Sequence, residues 1–212
     1  MLSKEKTMYI LGEMAKLFPD AKGELRANNP FELLIAVILS AQTTDVAVNK
    51  VTPALFLQYP TPFALKDANV EDVIEKVRTI GLYRNKAKNI VAASQMLVDE
   101  FDGIVPKTHK ELMRLPGVGR KTANVVLGDA YGLPGIAVDT HVERIAKRLR
   151  IVKQSASVLE VEEMLMKKIP KSLWVKAHHT MIFFGRYHCT AKAPKCDECP
   201  LLSMCSFNEW LI

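Results

Sequence analysis

All four cysteines of this chain fall in its last 24 residues, at Cys189, Cys196, Cys199 and Cys205, and the preceding 188 residues contain none. A disulfide framework would spread along the chain and require an oxidising compartment. Four thiols in one short tail point to a metal centre instead. The tail must therefore fold around a metal, and the rest of the chain must build its core without covalent cross-links. Four thiolates suit a tetrahedral zinc site. Zinc sites more often use paired Cys-x2-Cys units, however, and the spacing here, x6-x2-x5, contains only one such pair.

Upstream of the tail, apolar residues recur at helical spacing almost throughout. Met8, Leu11, Ala15 and Phe18 form one stripe, with Pro19 as a stop. Pro30 takes a first helical position before the buried run Phe31 to Leu39. Asp45 to Tyr59 reads as a helix that Pro53 kinks or bounds. Asn69 and Asp72 are candidate caps for Val70 to Thr79, with Gly81 as a left-handed C-terminal cap. Arg84 to Phe101 continues the pattern. Thr108 and Glu111 form a capping box before a short helix to Arg114, and Ser157 and Glu160 form another for a helix to Ile169. Helices are also predicted from Arg120 to Tyr131, from His141 to Arg150 and from Leu173 to Gly185. No period-two alternation lasts long enough for a sheet, so the expected fold class is all-α.

Apolar residues make up 49% and charged residues 25%, as in an ordinary soluble globular protein. The length suits one compact unit or two small lobes. The longest apolar run, Phe31 to Ala41, includes Glu32 and falls short of the roughly 20 residues a bilayer requires. The first residues carry no apolar signal core. A cytoplasmic protein with no membrane partner is expected. The net charge of +6 favours a polyanionic partner.

Between two short helices lies Leu115-Pro116-Gly117-Val118-Gly119. Pro116 fixes one backbone angle, and Gly117 and Gly119 permit conformations closed to other residues. Backbone amides at this tip and at the start of the helix from Arg120 can point outward and hold a phosphate, or the segment is simply a tight turn. Lys121 is then a surface charge or a reactive amine. Asp139 is a helix N-cap, a role open also to Thr140, or a carboxylate with a chemical task.

Residues 115–122, LPGVGRKT, resemble the helix-hairpin-helix of the DNA glycosylase superfamily. The resemblance to the endonuclease III family extends over most of the chain, through PFELLIAVILSAQTTD (residues 30–45), TIGLYRNKA (79–87), RKTANVVL (120–127), AVDTHV (137–142) and the cysteine spacing. It implies a two-lobed helical fold. One lobe is a barrel over residues 21–134 that carries the hairpin. The other joins residues 1–20 to 135–212 and holds a [4Fe–4S] cluster on the four cysteines, one thiolate per iron. It also implies a bifunctional glycosylase and abasic-site lyase acting on oxidised pyrimidines, such as thymine glycol, in double-stranded DNA.

On this resemblance Lys121 is the nucleophile. A neutral amine attacks the sugar C1′, and the Schiff base so formed permits β-elimination. The positive end of the helix and exclusion of water favour the neutral amine. Asp139, eighteen positions on, stabilises positive charge on the sugar and helps deprotonate Lys121 or a water. His141 is expected to make a structural hydrogen bond. Gln42 and Leu82, otherwise a polar loop residue and a core residue, match the side chains that fill the gap left by a flipped nucleotide. Gly117, Val118, Gly119 and Arg120 match the phosphate-binding hairpin. Carbonyls of Met113, Leu115 and Val118 match those that hold a monovalent cation in relatives. Lys192 and Lys195 are candidates for phosphate contacts beside the cluster.

Adenine glycosylases of this fold carry a catalytic glutamate where this chain has Val37, and tend to Asp-Gly-Asn where it has Asp139-Thr140-His141. The alternatives are a monofunctional uracil or mismatch glycosylase, which Lys121 opposes, and a non-catalytic DNA-binding module. The expected state is a nucleoid-associated monomer.

Overall fold

A computed structural model describes residues 1–207. Among the described residues the regular elements are all helical, and they fall into two compact units. One is continuous, Glu24–Leu133. The other joins Met1–Gly23 to the chain from Pro134 onward. No helix among the described residues is long and apolar enough to cross a membrane.

The continuous unit is built around α2 (Pro30–Leu39). Asn29 caps it by accepting the Glu32 N–H at 2.9 Å, and Pro30 fits the first turn, where its missing N–H is not needed. Every residue from Phe31 to Leu39 is buried. A helix apolar on all sides belongs in the middle of a core. Glu32 is tolerated there because its carboxylate accepts the Asn28 N–H and side-chain amide at 2.8 and 2.9 Å. Around α2 pack α3 (Asp45–Gln58), α6 (Tyr83–Phe101) and α8 (Arg120–Tyr131). Short helices α4 (Pro62–Lys66), α5 (Val70–Val77) and α7 (His109–Leu112) complete the unit.

Several local expectations need correction here. Pro53 does not bound α3, which runs unbroken past it from Asp45 to Gln58. Asn69 alone caps α5, accepting the Glu71 N–H at 2.9 Å, and the helix stops at Val77. Gly81 is not left-handed. That conformation falls one residue later, on Leu82 (φ 58°, ψ 27°), which is the N-cap of α6. The chain reverses into a helix there, so the corner belongs to the start of α6 and not to the end of α5. At α7 only half of the capping box forms. Thr108 accepts the Glu111 N–H at 3.2 Å, but the Glu111 carboxylate takes the Thr108 hydroxyl at 2.6 Å instead of its N–H.

In the second unit, α1 (Lys4–Leu17), α9 (Thr140–Arg148), α10 (Val158–Lys168) and α11 (Trp174–Phe183) share a core containing Ile10, Met14, Ile145, Leu165, Met181 and Phe184. The Ser157–Glu160 capping box is complete, with bonds of 3.3 and 2.7 Å. Lys168 is buried, and its ammonium donates to the Leu2 and Ile151 carbonyls at 2.6 and 2.8 Å, which pins the N-terminal strand of chain to α10. After α11 the helix widens into a π turn, Phe184–His188. Gly185 is required there: a β-carbon would lie 2.8 Å from the His141 Cβ, so α9 could not approach so closely.

Candidate active site and metal centre

The hairpin between α7 and α8 is anchored by its apolar residues and opened by its glycines. Leu115 and Val118 are buried, and Val118 N–H donates to the Leu115 carbonyl at 3.1 Å. Gly117 has φ 80°, and a β-carbon on it would crowd Ile38 and Asn89 at 3.0 and 3.1 Å. Gly119, expected to need an unusual backbone, is extended instead (φ −96°, ψ −179°). Its value lies in what is missing: nothing stands within 4 Å of where its side chain would begin. As the N-cap of α8 it supplies no side chain to the first-turn amides. Those amides face an open approach at the positive end of a 12-residue helix. Arg120 and Lys121 are both exposed on that turn. In the DNA-free protein, then, water is not excluded from Lys121.

Gln42 and Leu82 are brought together. Both are exposed and both are left-handed, with φ of 54° and 58°. Neither residue type adopts that conformation readily; for leucine it costs roughly 1–2 kcal/mol. The two corners lie near one another, since a β-carbon built on Gly81 would come 3.6 Å from the Gln42 carbonyl oxygen. Sequence reasoning missed Lys86, which is buried and donates to the Thr43 hydroxyl at 2.7 Å. Nothing in a Leu-Tyr-Arg-Asn-Lys run distinguishes that lysine from a surface charge.

Asp139 follows a buried stretch, Gly135 to Val138, and is the N-cap of α9. Its Oδ1 accepts both the His141 and Val142 N–H groups at 2.9 Å. Among the described residues its other oxygen has no hydrogen-bond partner, and the residue is only half-buried. The cap therefore engages one oxygen and leaves the second available. His141 makes the expected structural contact, with Nδ1 3.2 Å from the Arg144 guanidinium. Burial is the main cause holding the His141 imidazole below its ordinary range.

Two arginines of α9, also missed from sequence, reach the cysteine loop. Arg144 donates to the Gly185 and Cys189 carbonyls at 2.7 and 3.0 Å. Arg148 donates to the Thr190 and Ala191 carbonyls at 2.8 and 3.1 Å, approaches the Cys189 Sγ at 3.2 Å, and stacks 3.8 Å from the Phe207 ring centre. Their only sequence signal is the i, i+4 spacing that puts both on one helix face. Lys192 and Lys195 are exposed on the same loop.

The four thiols are free and half-buried. Burial pushes the Cys196 and Cys199 thiols up, and negative charge on Cys189 and Cys205 pushes them further. Thiols close enough to repel one another as thiolates need a cationic centre between them, so the donor set fits a metal group. A single zinc ion would draw its sulfurs to about 3.8 Å from one another, given bonds of ~2.3 Å. A four-iron cluster, with one thiolate per iron, asks for a wider spacing.

Residues 35–171 match the HhH-GPD superfamily of base excision DNA repair proteins, and residues 189–205 match the iron–sulfur binding domain of endonuclease III. Endonuclease III of Bacillus subtilis (strain 168) is 53% identical over 205 residues, covering 97% of this chain and 94% of that protein. The chain belongs to the endonuclease III family. Endonuclease III of Escherichia coli (strain K12) is 44% identical, with 98% of each chain covered. A solved structure of a trapped endonuclease III–DNA covalent intermediate, an estranged-adenine complex, superposes with a TM-score of 0.97 at 57% identity, covering 100% of this chain and 99% of that one. The cofactor of this endonuclease III family member is a [4Fe–4S] cluster, and the second matched segment begins on Cys189 and ends on Cys205.

Proposed function

We propose that this chain is a bifunctional DNA glycosylase and abasic-site lyase that removes oxidised, ring-saturated or fragmented pyrimidines from duplex DNA, with Lys121 as nucleophile. One observation carries this reading. An exposed lysine stands on the first turn after an open hairpin, in a chain 57% identical to a protein trapped covalently on DNA.

Phosphates of the damaged strand bind the amides of the Gly117-Val118-Gly119-Arg120 tip, where the helix dipole and the absent side chains favour an anion. Carbonyls of Met113, Leu115 and Val118 hold a monovalent cation there, although the Leu115 oxygen already shares one lone pair with Val118 N–H. The damaged nucleotide rotates out of the stack, and Gln42 and Leu82 fill the space it leaves. Their left-handed, exposed backbones support this role, because strain is retained where function requires a fixed geometry. Bound duplex also supplies the water exclusion that the free protein does not give Lys121.

The Lys121 amine attacks C1′. The C1′–N bond to the base breaks, the base leaves with the electron pair, and the amine loses a proton to Asp139 or to a water it orients; the C1′–O4′ bond then breaks, O4′ keeps the electron pair and takes a proton, and the opened sugar is held as a Schiff base. The Asp139 carboxylate stabilises the positive charge that develops on the sugar. In the resulting Schiff base the C2′ proton is acidic. Its removal expels the 3′ phosphate and leaves Lys121 attached until hydrolysis. Cys189, Cys196, Cys199 and Cys205 hold the [4Fe–4S] cluster, which organises the loop carrying Lys192 and Lys195 against the DNA backbone. The protein acts as a monomer.

Borohydride reduces a Schiff base to a stable amine. On a duplex with one thymine glycol, wild type is expected to form a covalent protein–DNA adduct and Lys121→Ala none. Base release without an adduct would make the enzyme monofunctional. Intact DNA binding with neither base release nor adduct would remove the proposed substrate class.

A further inference from the structure

Lys86 is only 4% exposed, yet its ammonium lies beside no carboxylate; among the described residues its one side-chain hydrogen bond is to the Thr43 hydroxyl, at 2.7 Å. An ammonium carries three donors and is strongly hydrated in water. Burying it against a single neutral acceptor is unfavourable. That cost shows as burial pulling the Lys86 amine below its ordinary range, with no neighbouring charge to oppose it. Methionine would fill the same space without the charge, so packing alone does not explain a lysine here.

Its connections do. Thr43 follows Gln42 directly, and the Thr43 N–H closes that turn on the Ser40 carbonyl at 3.0 Å. Lys86 lies in the first turn of α6, where its N–H donates to the Leu82 carbonyl at 3.1 Å. One side-chain hydrogen bond thus spans the residue after one left-handed corner and the helical turn closed by the other. The chain at Gly81 passes near the Gln42 carbonyl, but among the described residues no backbone hydrogen bond joins the two corners. To move either corner alone, the Lys86–Thr43 bond must break and leave a buried charge with no acceptor.

We infer that Lys86 is a positioning residue: through Thr43 it locks the Gln42 turn and the Leu82 corner into one rigid unit, so that the two side chains enter the duplex together. This rests on the proposed insertion of Gln42 and Leu82.

The test is equilibrium binding of the full-length, cluster-loaded protein to a duplex with one tetrahydrofuran abasic site and to the same duplex undamaged. Gln42→Ala and Leu82→Gly come first; both are expected to weaken binding to the abasic duplex. If neither does, the insertion reading falls and takes this inference with it. If both do, Lys86→Met and Thr43→Val are each expected to weaken abasic-site binding by roughly tenfold, the size of a lost hydrogen bond to a charged group. The double variant is expected to be no weaker than either single, because one bond is being removed twice. Undamaged-duplex binding is expected to stay constant. The melting temperature of Lys86→Met is expected to hold or rise, since a buried charge is gone. Thr43→Ser, which keeps the hydroxyl, is expected to bind as wild type. Additive losses, unchanged abasic-site binding, or a loss in Lys86→Met that tracks a fall in its melting temperature would overturn the inference while leaving the insertion reading in place. Should Lys86→Met fail to fold, the contrast of Thr43→Val with Thr43→Ser decides the matter.

Discussion

Asp139 can serve two purposes because its two oxygens are divided between them. Oδ1 accepts the His141 and Val142 N–H groups, and the other oxygen has no hydrogen-bond partner among the described residues. From sequence, the cap and the catalytic role compete as explanations; the geometry makes them compatible. It also supplies a way to separate them. Asparagine caps helices as well as aspartate does, whereas alanine does not. Asp139→Asn is therefore expected to melt within a degree or two of wild type and to lose base excision by orders of magnitude. Asp139→Ala is expected to lose both the activity and about 1 kcal/mol of stability. Thermal unfolding and single-turnover excision on a thymine glycol duplex measure the two effects. Equal destabilisation by both substitutions would mean that charge, not cap geometry, holds the start of α9. Full activity in Asp139→Asn would remove the carboxylate from the chemistry.

Helix α9 connects the carboxylate to the cysteine loop within a single element. Asp139 caps its first turn, His141 and Arg144 meet along one face, and Arg144 and Arg148 end on the loop at Cys189 to Ala191. His141 makes this element sensitive to acid. Burial lowers its affinity for a proton first, and the Arg144 and Arg186 charges lower it further; Asp139 and a hydrogen bond with Gly185 act in the opposite direction without prevailing. In the unfolded chain an imidazole takes a proton near pH 6.5. Since the folded value is lower, the unfolded state binds the proton first as pH falls. The stability tied to neutral His141 is thus complete above about pH 6.5 and is lost as acidification passes that value toward the folded one. The melting temperature of the cluster-loaded protein is expected to fall between about pH 7 and pH 5. His141→Asn is expected to flatten part of that slope, and His188, lowered by burial in the same way, to account for some of what remains. Parallel slopes for wild type and variant would eliminate His141 as a source of the acid sensitivity.

Across the whole molecule, local signals were legible in the sequence and long-range pairings were not. The helical class, the buried run at Phe31 to Leu39, the caps at Asn69 and Ser157, and the hairpin depend on neighbours within four residues. Each carries its physical reason in its own segment. Lys86 with Thr43 spans 43 positions, and Arg148 with the Ala191 carbonyl likewise spans 43. Such pairs exist only because folded helices bring them together, and a lone lysine or arginine in sequence resembles any other surface charge. The left-handed corner on Leu82 was misplaced to Gly81 because glycine is the usual occupant of that conformation. The same distinction applies to stability. The buried apolar residues form two separate cores, one within the continuous unit and one that includes the flanks of Cys189, Cys199 and Cys205. Only the second has cysteine side chains packed against it. Arg148, just 9% exposed, has its Nη1 on the Cys189 sulfur and on the Thr190 carbonyl. Without a cluster to fix that loop, the guanidinium becomes a buried charge with loosened acceptors, a change that typically costs several kcal/mol. Cys199→Ser is therefore expected to abolish the iron–sulfur absorption band and to remove hydrogen-exchange protection from α9 and α11. Amides of α2 and α8 are expected to remain protected, because their core closes without the cluster. Protection lost equally from α2 and α9 would show that the two units unfold as one, and that the cluster stabilises the hairpin as directly as it does its own loop.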